Sequence, residues 1–306
     1  MDWKEINITK YTAEVKRNME VIVSDEIIKK DLLLTFILAE FQKLGLGKDL
    51  IFKGGTLLSR TYLKYHRFSE DLDFVHAGSN SFRVLTRNAR ERKVKTYLDY
   101  FVPELKRVAD ALNLDFSTDR SNKKYCRMLS GRTLYTFRLY YTQEQYIKIE
   151  INFIEKMIHS PQEVSVNTIT DYFDSKRLIS DLNLTYANFI VKSYSLQEIT
   201  LEKYRATLTR KALMERDLFD LHLIPNSLQV TVEEVIDKIK SSSLIKRELG
   251  EIISQNMKLL KEGNFFKSLE KIEDLAIIKY SPDEFTTFKQ KIQPILINIC
   301  EKFLAK

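Results

Sequence analysis

The sequence predicts an α+β (α/β) fold in which a mixed β-sheet flanked by helices is followed by an all-α part. Strand-like runs alternate with helix-like segments up to about residue 194, and from Ser195 onward the apolar spacing is helical to the end. The length of 306 residues corresponds to about two domains. We therefore expect an α/β domain over residues 1–194 and a helical C-terminal domain over residues 195–306.

The helices of the first domain are expected where apolar residues recur at helical spacing. This spacing extends over 12–44, and Gly45 and Gly47 end it. A short helix is expected over 56–65, directly after a pair of glycines. A longer helix is expected over 88–112, in which Pro103 marks a kink or a break.

The strands are expected in short runs that are rich in β-branched and aromatic residues. Such runs lie at 49–53, 68–76 and 114–118, and the clearest hairpin, TLYTFRLYY-TQE-QYIKIEINFI, lies within 133–154. Residues 159–194 are expected to be irregular. Tyr140 and Tyr141 are interpreted as hairpin packing, and no base-stacking platform is expected from Tyr135 and Phe137 because Leu139 continues their face.

The composition is that of an ordinary globular protein, with 44% apolar and 30% charged residues. No run approaches about 18 consecutive apolar residues, so no membrane span is expected. Cys126 and Cys300 make neither a disulfide framework nor a metal cluster, which favours a reducing cytoplasm. The net charge of +7 is compatible with a polyanionic partner such as RNA, DNA or a nucleotide, and equally with a lysine-rich solvated surface.

Two aspartates stand two positions apart inside the apolar run at 68–76. In a strand, Asp71 and Asp73 project from one face while Leu72 and Phe74 point into the core. Adjacent carboxylates repel each other unless a cation lies between them. Mg²⁺ (or Mn²⁺) is the natural cation, because it prefers oxygen ligands and accompanies phosphates.

A third carboxylate lies in the second strand of the hairpin. Glu150 shares a face with Lys148 and Asn152, opposite the isoleucines, so it could approach Asp71 and Asp73 from a neighbouring strand. Three such carboxylates are typical of a two-metal phosphoryl-transfer site. A solvent-facing edge strand would give the same alternation.

The turn between the first strand and the helix over 56–65 has residues suited to a phosphate. Gly54 and Gly55 allow close approach of the backbone to a ligand, and Thr56 adds a hydroxyl. The turn opens a helix, whose first amide groups favour a phosphate. A GG turn alone more often indicates only a tight loop.

These features together resemble a known family. A strand, GG(S/T), a helix and D-x-D on the next strand are similar to the polymerase-β nucleotidyltransferase superfamily. More narrowly, KGGT and RFSEDLDF resemble the AbiEii family of abortive-infection and toxin–antitoxin nucleotidyltransferases, in which a serine precedes the first aspartate by two residues, as Ser69 does. The superfamily usually has GS where this chain has GT, a departure that keeps the hydroxyl.

The resemblance covers about residues 50–76 and 145–224 and includes two later motifs. They are a lysine with a spaced Thr and Arg, then R-D-x-x-D: Lys203, Thr207, Arg210, Arg216, Asp217 and Asp220. On a helix, the first three would share a face that could hold a triphosphate. Asp217 and Asp220 either orient Lys203 or its basic neighbours, or take part in proton transfer.

The resemblance implies a nucleotidyltransferase fold and a metal-dependent toxin. Such an enzyme transfers NMP from an NTP to an RNA acceptor, the tRNA 3′ end, and blocks translation; a cognate antitoxin is encoded nearby and need not bind it stably. The residues then take three roles: catalysis by Asp71, Asp73, Lys203 and Asp217; nucleotide or phosphate binding by Gly54, Gly55, Thr56, Ser69, Thr207 and Arg210; metal binding by Asp71, Asp73 and Glu150. The alternatives are nucleotidylation of a protein hydroxyl and a non-catalytic nucleotide- or RNA-binding module.

Overall fold

A seven-stranded mixed β-sheet organises the N-terminal part of the chain in the computed structural model. The structure describes residues 6–181, 189–225, 227–228, 230–241, 246–267 and 272–305. They divide into a sheet unit, Met1–Glu155 with Pro161–Tyr194, and a helical unit, Lys156–Ser160 with Ser195–Lys306. The predicted fold class, a mixed sheet flanked by helices and followed by a helical region, is confirmed.

The strands have the following bounds: β1 (Leu50–Lys53), β2 (Asp71–His76), β3 (Cys126–Leu129), β4 (Leu134–Tyr140), β5 (Tyr146–Asn152), β6 (Gln162–Val166) and β7 (Phe189–Ser193). Their order across the sheet is β3-β4-β5-β2-β1-β7-β6. The pairs β2–β5 and β1–β7 are parallel, and the other neighbours are antiparallel. β2, which begins with the D-x-D motif, therefore lies between β1 and β5 near the middle of the sheet.

The helices of the sheet unit are α1 (Ile8–Met19), α2 (Asp25–Leu44), α3 (Gly54–Leu57), α4 (Ser79–Arg83), α5 (Arg87–Ala111) and α6 (Lys176–Asp181). A π-helical turn, Leu58–Tyr62, continues α3, and a 3₁₀ turn covers Ile169–Tyr172. The helical unit contains α7 (Leu196–Thr209), α8 (Glu215–Leu223), α9 (Val232–Lys240), α10 (Lys246–Lys261) and α11 (Pro282–Leu304), with a 3₁₀ turn at Ile272–Asp274.

One face of the sheet is apolar and packs against α2 and α5. The rings of Phe41 and Phe74 stack at 5.9 Å, and Phe101 of α5 meets Phe137 of β4 at 5.5 Å. Ile149 on this face is fully buried. Each such side chain contributes roughly 1.5–3 kcal/mol through removal from water. The alternation along β2, β4 and β5 therefore leaves their polar residues on the opposite face.

The helical unit includes a short segment from before the domain boundary because a buried carboxylate binds it. Glu198 of α7 accepts hydrogen bonds from the backbone N–H groups of Ile158 and His159, at 3.0 and 2.8 Å. Its other oxygen pairs with the buried Lys238 of α9 at 2.7 Å. Lys238 also donates to the carbonyl of Lys156 at 2.8 Å. This charge pair is thus fully hydrogen-bonded, which is the condition for burying it.

Several predicted elements were wrong in extent. The segment 12–44, expected to be mostly helical, contains two helices, because Glu20, the residue after α1, is left-handed (φ 52°) and α2 begins after the N-cap Ser24. The strand at 114–118 is a single bridge between Asp115 and Tyr140. The strand at 68–76 begins only at Asp71.

The prediction that residues 159–194 are irregular was also wrong. They contain β6, α6 and β7, and β7 extends the sheet beside β1, where Tyr194 N–H donates to the carbonyl of Phe52 at 3.0 Å. β7 pairs along its length with β6 of the same segment, and it joins the sheet through β1, about 140 residues earlier in the chain, which no local pattern encodes. Among the described residues, no helix combines the length and apolar character that crossing a membrane would require.

Candidate active site

The polar face of the sheet gathers the predicted carboxylates. Asp73 lies opposite Glu150 of β5 on one side and Lys53 of β1 on the other, and Asp71 lies opposite Lys148. Because side chains alternate along each strand, Asp71, Asp73, Lys148 and Glu150 project from the same side of the sheet. We call this side the carboxylate face.

A lysine partly neutralises the carboxylate face. Lys148 Nζ lies 2.9 Å from Asp71 Oδ2 and 3.9 Å from Glu150 Oε2. Burial by itself would lower the pKa of Lys148, but Asp73 and Asp71 raise it, so the ammonium remains charged. Lys148 thus contacts two of the three carboxylates, and the charge of Lys53 on β1 also opposes the rise in the pKa of Glu150.

The pKa values of Asp71 and Glu150 are raised above their ordinary values. Burial raises the pKa of Asp71, Asp73 raises it further, and Lys148 only opposes this. The pKa of Glu150 is raised in the same way, by burial first and then by Asp73. Burial and mutual repulsion therefore both favour the protonated forms of Asp71 and Glu150.

The donor set fits a divalent cation. All three acids offer carboxylate oxygens, the ligands that Mg²⁺ and Mn²⁺ prefer, and the raised pKa values indicate charge that such an ion would neutralise. Within the part of the chain that the structure describes, no three His, Cys, Asp or Glu side chains form a ready-made metal cage. The side chains of Asp71 and Glu150 are instead oriented toward Lys148.

The glycine turn packs directly on the carboxylate face. Gly54 has a φ of +83°, and a Cβ there would lie 2.5 Å from Asp73 Oδ2. A Cβ on Gly55 would lie 2.7 Å from Arg67 Nη2 and 3.1 Å from Ser69 Oγ. The two glycines therefore let the backbone reach Asp73, Arg67 and Ser69, and no larger residue would fit without displacing them.

Thr56 connects the turn to the D-x-D strand. Its buried hydroxyl donates to the backbone carbonyl of Asp71 at 2.5 Å. The hydroxyl is thus engaged by the protein, whereas the sequence-based interpretation directs it to a phosphate. The bond positions the first residue of β2, so Thr56 acts on Asp71 through the backbone.

The residues of the later motifs meet within the helical unit. Lys203 Nζ lies 2.8 Å from Asp217 Oδ1 and 2.5 Å from Asp220 Oδ2. Arg210, the residue that follows α7, pairs with the other oxygen of Asp217. Thr207 is buried, and its hydroxyl has no hydrogen-bond partner among the described residues. We call Lys203, Arg210, Asp217 and Asp220 the Lys203 cluster.

The charges of the Lys203 cluster balance. Burial by itself would raise the pKa of Asp217, but Lys203 and Arg210 together lower it. Arg216 is half-buried on α8, beside Asp217 in sequence. Asp71, Asp73 and Glu150 belong to the sheet unit and the Lys203 cluster to the helical unit, so the predicted site residues form two groups, each complete within its own unit.

Two basic residues near the carboxylates were given no role by the sequence. Lys148 was placed on the same strand face as Glu150, and its i−2 spacing from that acid was the available signal. Lys53, opposite Asp73, pairs with Glu155 at 2.5 Å, and Glu155 also accepts from the Tyr194 hydroxyl at 2.8 Å. Lys53 and Glu155 are 102 positions apart in the chain, so only the fold could reveal their contact.

Comparison with known proteins agrees with the motifs. Residues 37–297 match the family described as "Nucleotidyl transferase AbiEii toxin, Type IV TA system". No curated protein matches the chain. Among solved structures, the chain is similar to MenT4, a nucleotidyltransferase toxin from Mycobacterium tuberculosis H37Rv, with 13% identity, a TM-score of 0.46, and coverage of 95% of this chain and 98% of that one. The predicted resemblance is confirmed: the chain belongs to the AbiEii family of nucleotidyltransferase toxins of type IV toxin–antitoxin systems.

Proposed function

We propose that this toxin transfers NMP from an NTP, with Mg²⁺ or Mn²⁺, to a hydroxyl of an RNA acceptor, the 3′ end of tRNA, and so blocks translation in the cytoplasm. The acceptor oxygen forms a bond to the α-phosphorus, the bond to pyrophosphate breaks, and the hydroxyl proton passes to a base. The alignment of Asp71, Asp73 and Glu150 on neighbouring strands carries this proposal. A cognate antitoxin restrains the enzyme without needing to form a stable complex.

The carboxylate face has two tasks in this reaction. Asp71, Asp73 and Glu150 would hold the cation, which supplies neutralisation of the charge that develops on the attacking and leaving oxygens. Lys148 keeps Asp71 in place until then, through the 2.9 Å contact. Gly54, Gly55 and Ser69 would receive the phosphates beside Asp73, because the two glycines bring the backbone close to Asp73, Arg67 and Ser69.

The Lys203 cluster is assigned to the triphosphate through its family motif. Lys203 and Arg210 supply positive charge, and Arg210 is 41% exposed, so its guanidinium can also reach a ligand. Asp217 and Asp220 hold the Lys203 ammonium between them. Thr207 lies on α7, as Lys203 does. Its buried hydroxyl has no partner among the described residues and is a further hydrogen-bond donor.

A labelling experiment tests the proposal. The protein is incubated with total tRNA, Mg²⁺ and each α-³²P NTP in turn, beside the double variant Asp71→Ala, Asp73→Ala. The expected result is a labelled tRNA band with one or two nucleotides that the double variant does not produce. As a matched control, Asp110→Ala removes an acid that is 59% exposed on α5 and should leave labelling unchanged.

Other labelling patterns would contradict the proposal. Label on a protein band, including the toxin itself, would identify a protein hydroxyl as the acceptor. NTP binding without any labelled product would favour a non-catalytic module on the same fold.

A further inference from the structure

An arginine that the motifs do not include lies in line with the carboxylates. Arg138 of β4 is opposite Lys148 of β5, which is opposite Asp71 of β2. The three side chains project from the carboxylate face, because each pair is in direct register. Two strand spacings separate the backbones of Arg138 and Asp71, about 10 Å.

The guanidinium of Arg138 has an aromatic support and, among the residues that the structure describes, no polar partner. It lies over the ring of Tyr146 at 4.8 Å from the ring centre, and both residues are half-exposed. Its Nε is buried without a hydrogen bond, and the side chain makes no ion pair within the described ranges of the chain. An arginine that lies over a ring, without an ion pair among the described residues, can bind an anion bidentately.

Further aromatic and basic residues continue this side of the sheet. The ring of Tyr146 packs on Tyr140 at 5.1 Å, and Lys124 Nζ lies 4.6 Å from the ring centre of Tyr140. Tyr140 is buried, so it supports Tyr146 while Tyr146 and Arg138 face outward. The interpretation of Tyr140 as hairpin packing therefore describes its contacts but misses the surface that it supports.

The strand order separates this surface from the glycine turn. In the sheet β4 and β1 lie on opposite sides of β5 and β2, and the turn at Gly54 follows β1 directly. Asp71, Asp73 and Glu150 thus stand between the glycine turn and Arg138. An enzyme that joins two molecules needs a binding place on each side of its reacting centre, and the turn accounts for only one of them.

We propose that Arg138 and Tyr146 bind the unpaired end of the acceptor RNA, with the guanidinium on a backbone phosphate and the exposed part of the tyrosine ring against a base. This inference rests on the proposed function and specifies its acceptor site. Single-stranded RNA ends are recognised in this way, through stacking on aromatic rings and arginine planes. The bound RNA end then places its terminal hydroxyl near Asp71. Arg138 and Tyr146 act as positioning residues.

The test separates acceptor binding from nucleotide binding in five variants of the full chain, of which Arg138→Lys keeps the charge. Arg138→Gln and Tyr146→Leu remove the phosphate and base contacts, and Tyr146→Phe keeps the ring. Arg92→Gln is the matched charge control, because Arg92 is exposed on α5, which packs on the other face of the sheet. For each variant we would measure the Kd and KM for the RNA acceptor, the Kd for NTP without RNA, and the melting temperature.

The expected result is selective. Arg138→Gln and Tyr146→Leu should each raise the Kd and KM for the acceptor at least about tenfold, which corresponds to about 1.4 kcal/mol. The Kd for NTP should change by less than about twofold, and Arg92→Gln should behave like the wild type. Tyr146→Phe, which keeps the ring, should lose less acceptor affinity than Tyr146→Leu. Arg138→Lys keeps the positive charge and changes the packing less than Arg138→Gln does. It should give an intermediate loss of acceptor affinity, because lysine lacks the planar guanidinium fork.

Three results would overturn the inference while leaving the proposed function intact. They are unchanged acceptor affinity in well-folded Arg138→Lys and Arg138→Gln, an equal loss in Arg92→Gln, and a loss of NTP affinity in place of RNA affinity. A wild-type protein that labels protein and no RNA would instead refute the proposed function, and this inference with it.

Discussion

The carboxylate face and the Lys203 cluster use the same residue types in opposite electrostatic states. In the Lys203 cluster, two carboxylates meet two cations, Lys203 is 9% exposed and Asp217 is 2% exposed, and the pKa of Asp217 is lowered. On the carboxylate face, Lys148 contacts two of the three acids, Lys53 is paired with Glu155, Asp71 is 39% exposed, and its pKa is raised. A buried cluster must balance its own charges, whereas a half-exposed one can leave charge for a ligand to neutralise.

The largest expected effect comes from breaking the balanced cluster. Lys203→Met leaves the buried Asp217 and Asp220 without their shared ammonium, and should lower the free energy of unfolding by about 3–5 kcal/mol. Urea denaturation measures this. Lys302→Met, which removes a 48%-exposed partner of Glu233, should cost less than about 1 kcal/mol. Equal small losses in both variants would show that the Lys203 cluster contributes no more than a surface pair.

Removing a carboxylate from the carboxylate face should lower the rate of nucleotide transfer without lowering the stability of the protein. Asp71→Asn should reduce nucleotide transfer at least about a hundredfold, or about 2.7 kcal/mol in activation free energy. The melting temperature should stay the same or rise, because repulsion from Asp73 disappears. A loss of activity that merely follows a lower melting temperature would contradict the distinction between the two clusters.

The glycine turn offers a sharper test of how closely the backbone approaches the carboxylate face. Gly54→Ala should destabilise the protein by about 1–2 kcal/mol from its left-handed backbone alone, with an additional loss from the clash with Asp73. Gly131→Ala is the matched control, because Gly131 has a φ of +65° and nothing within 4 Å of a Cβ. Equal changes in unfolding free energy for the two variants would exclude a contribution from Asp73.

The smallest expected effect concerns how the free energy of unfolding depends on pH, since Asp217 and Asp71 should contribute to it with opposite signs. The lowered pKa of Asp217 contributes stability that is present above the unfolded-state pKa and is lost as the pH falls through the folded-state pKa. The raised pKa of Asp71 contributes stability that is present below its unfolded-state pKa and is lost as the pH rises through its folded-state pKa. For the half-exposed Asp71 we expect less than about 1 kcal/mol, because solvent screens it.

Unfolding curves of the wild type, Asp217→Asn and Asp71→Asn between about pH 3 and 7 would measure these two contributions separately. The difference from the wild type should change in opposite directions for the two variants as the pH rises. The same direction in both would mean that one of the clusters has been assigned the wrong charge state.

The sequence by itself determined the family, the fold class and the local geometry of the D-x-D strand. Two-residue alternation is a property of any strand, so it placed Asp71 and Asp73 on one side and Leu72 and Phe74 on the other. The i, i+3 spacing of Asp217 and Asp220 likewise predicted neighbours on one helix face.

Only the tertiary structure decided which strands are neighbours. Glu150 lies opposite Asp73 and Lys148 reaches Asp71 because β5 pairs with β2, which is remote in the chain. Arg138, on the other strand of the predicted hairpin, therefore lies on the far side of both. The strand β7, missed within the segment expected to be irregular, pairs with β6 of that segment and joins the sheet only through the distant β1. Strand order depends on burial and pairing between remote segments, and these interactions leave no periodic signal within either segment.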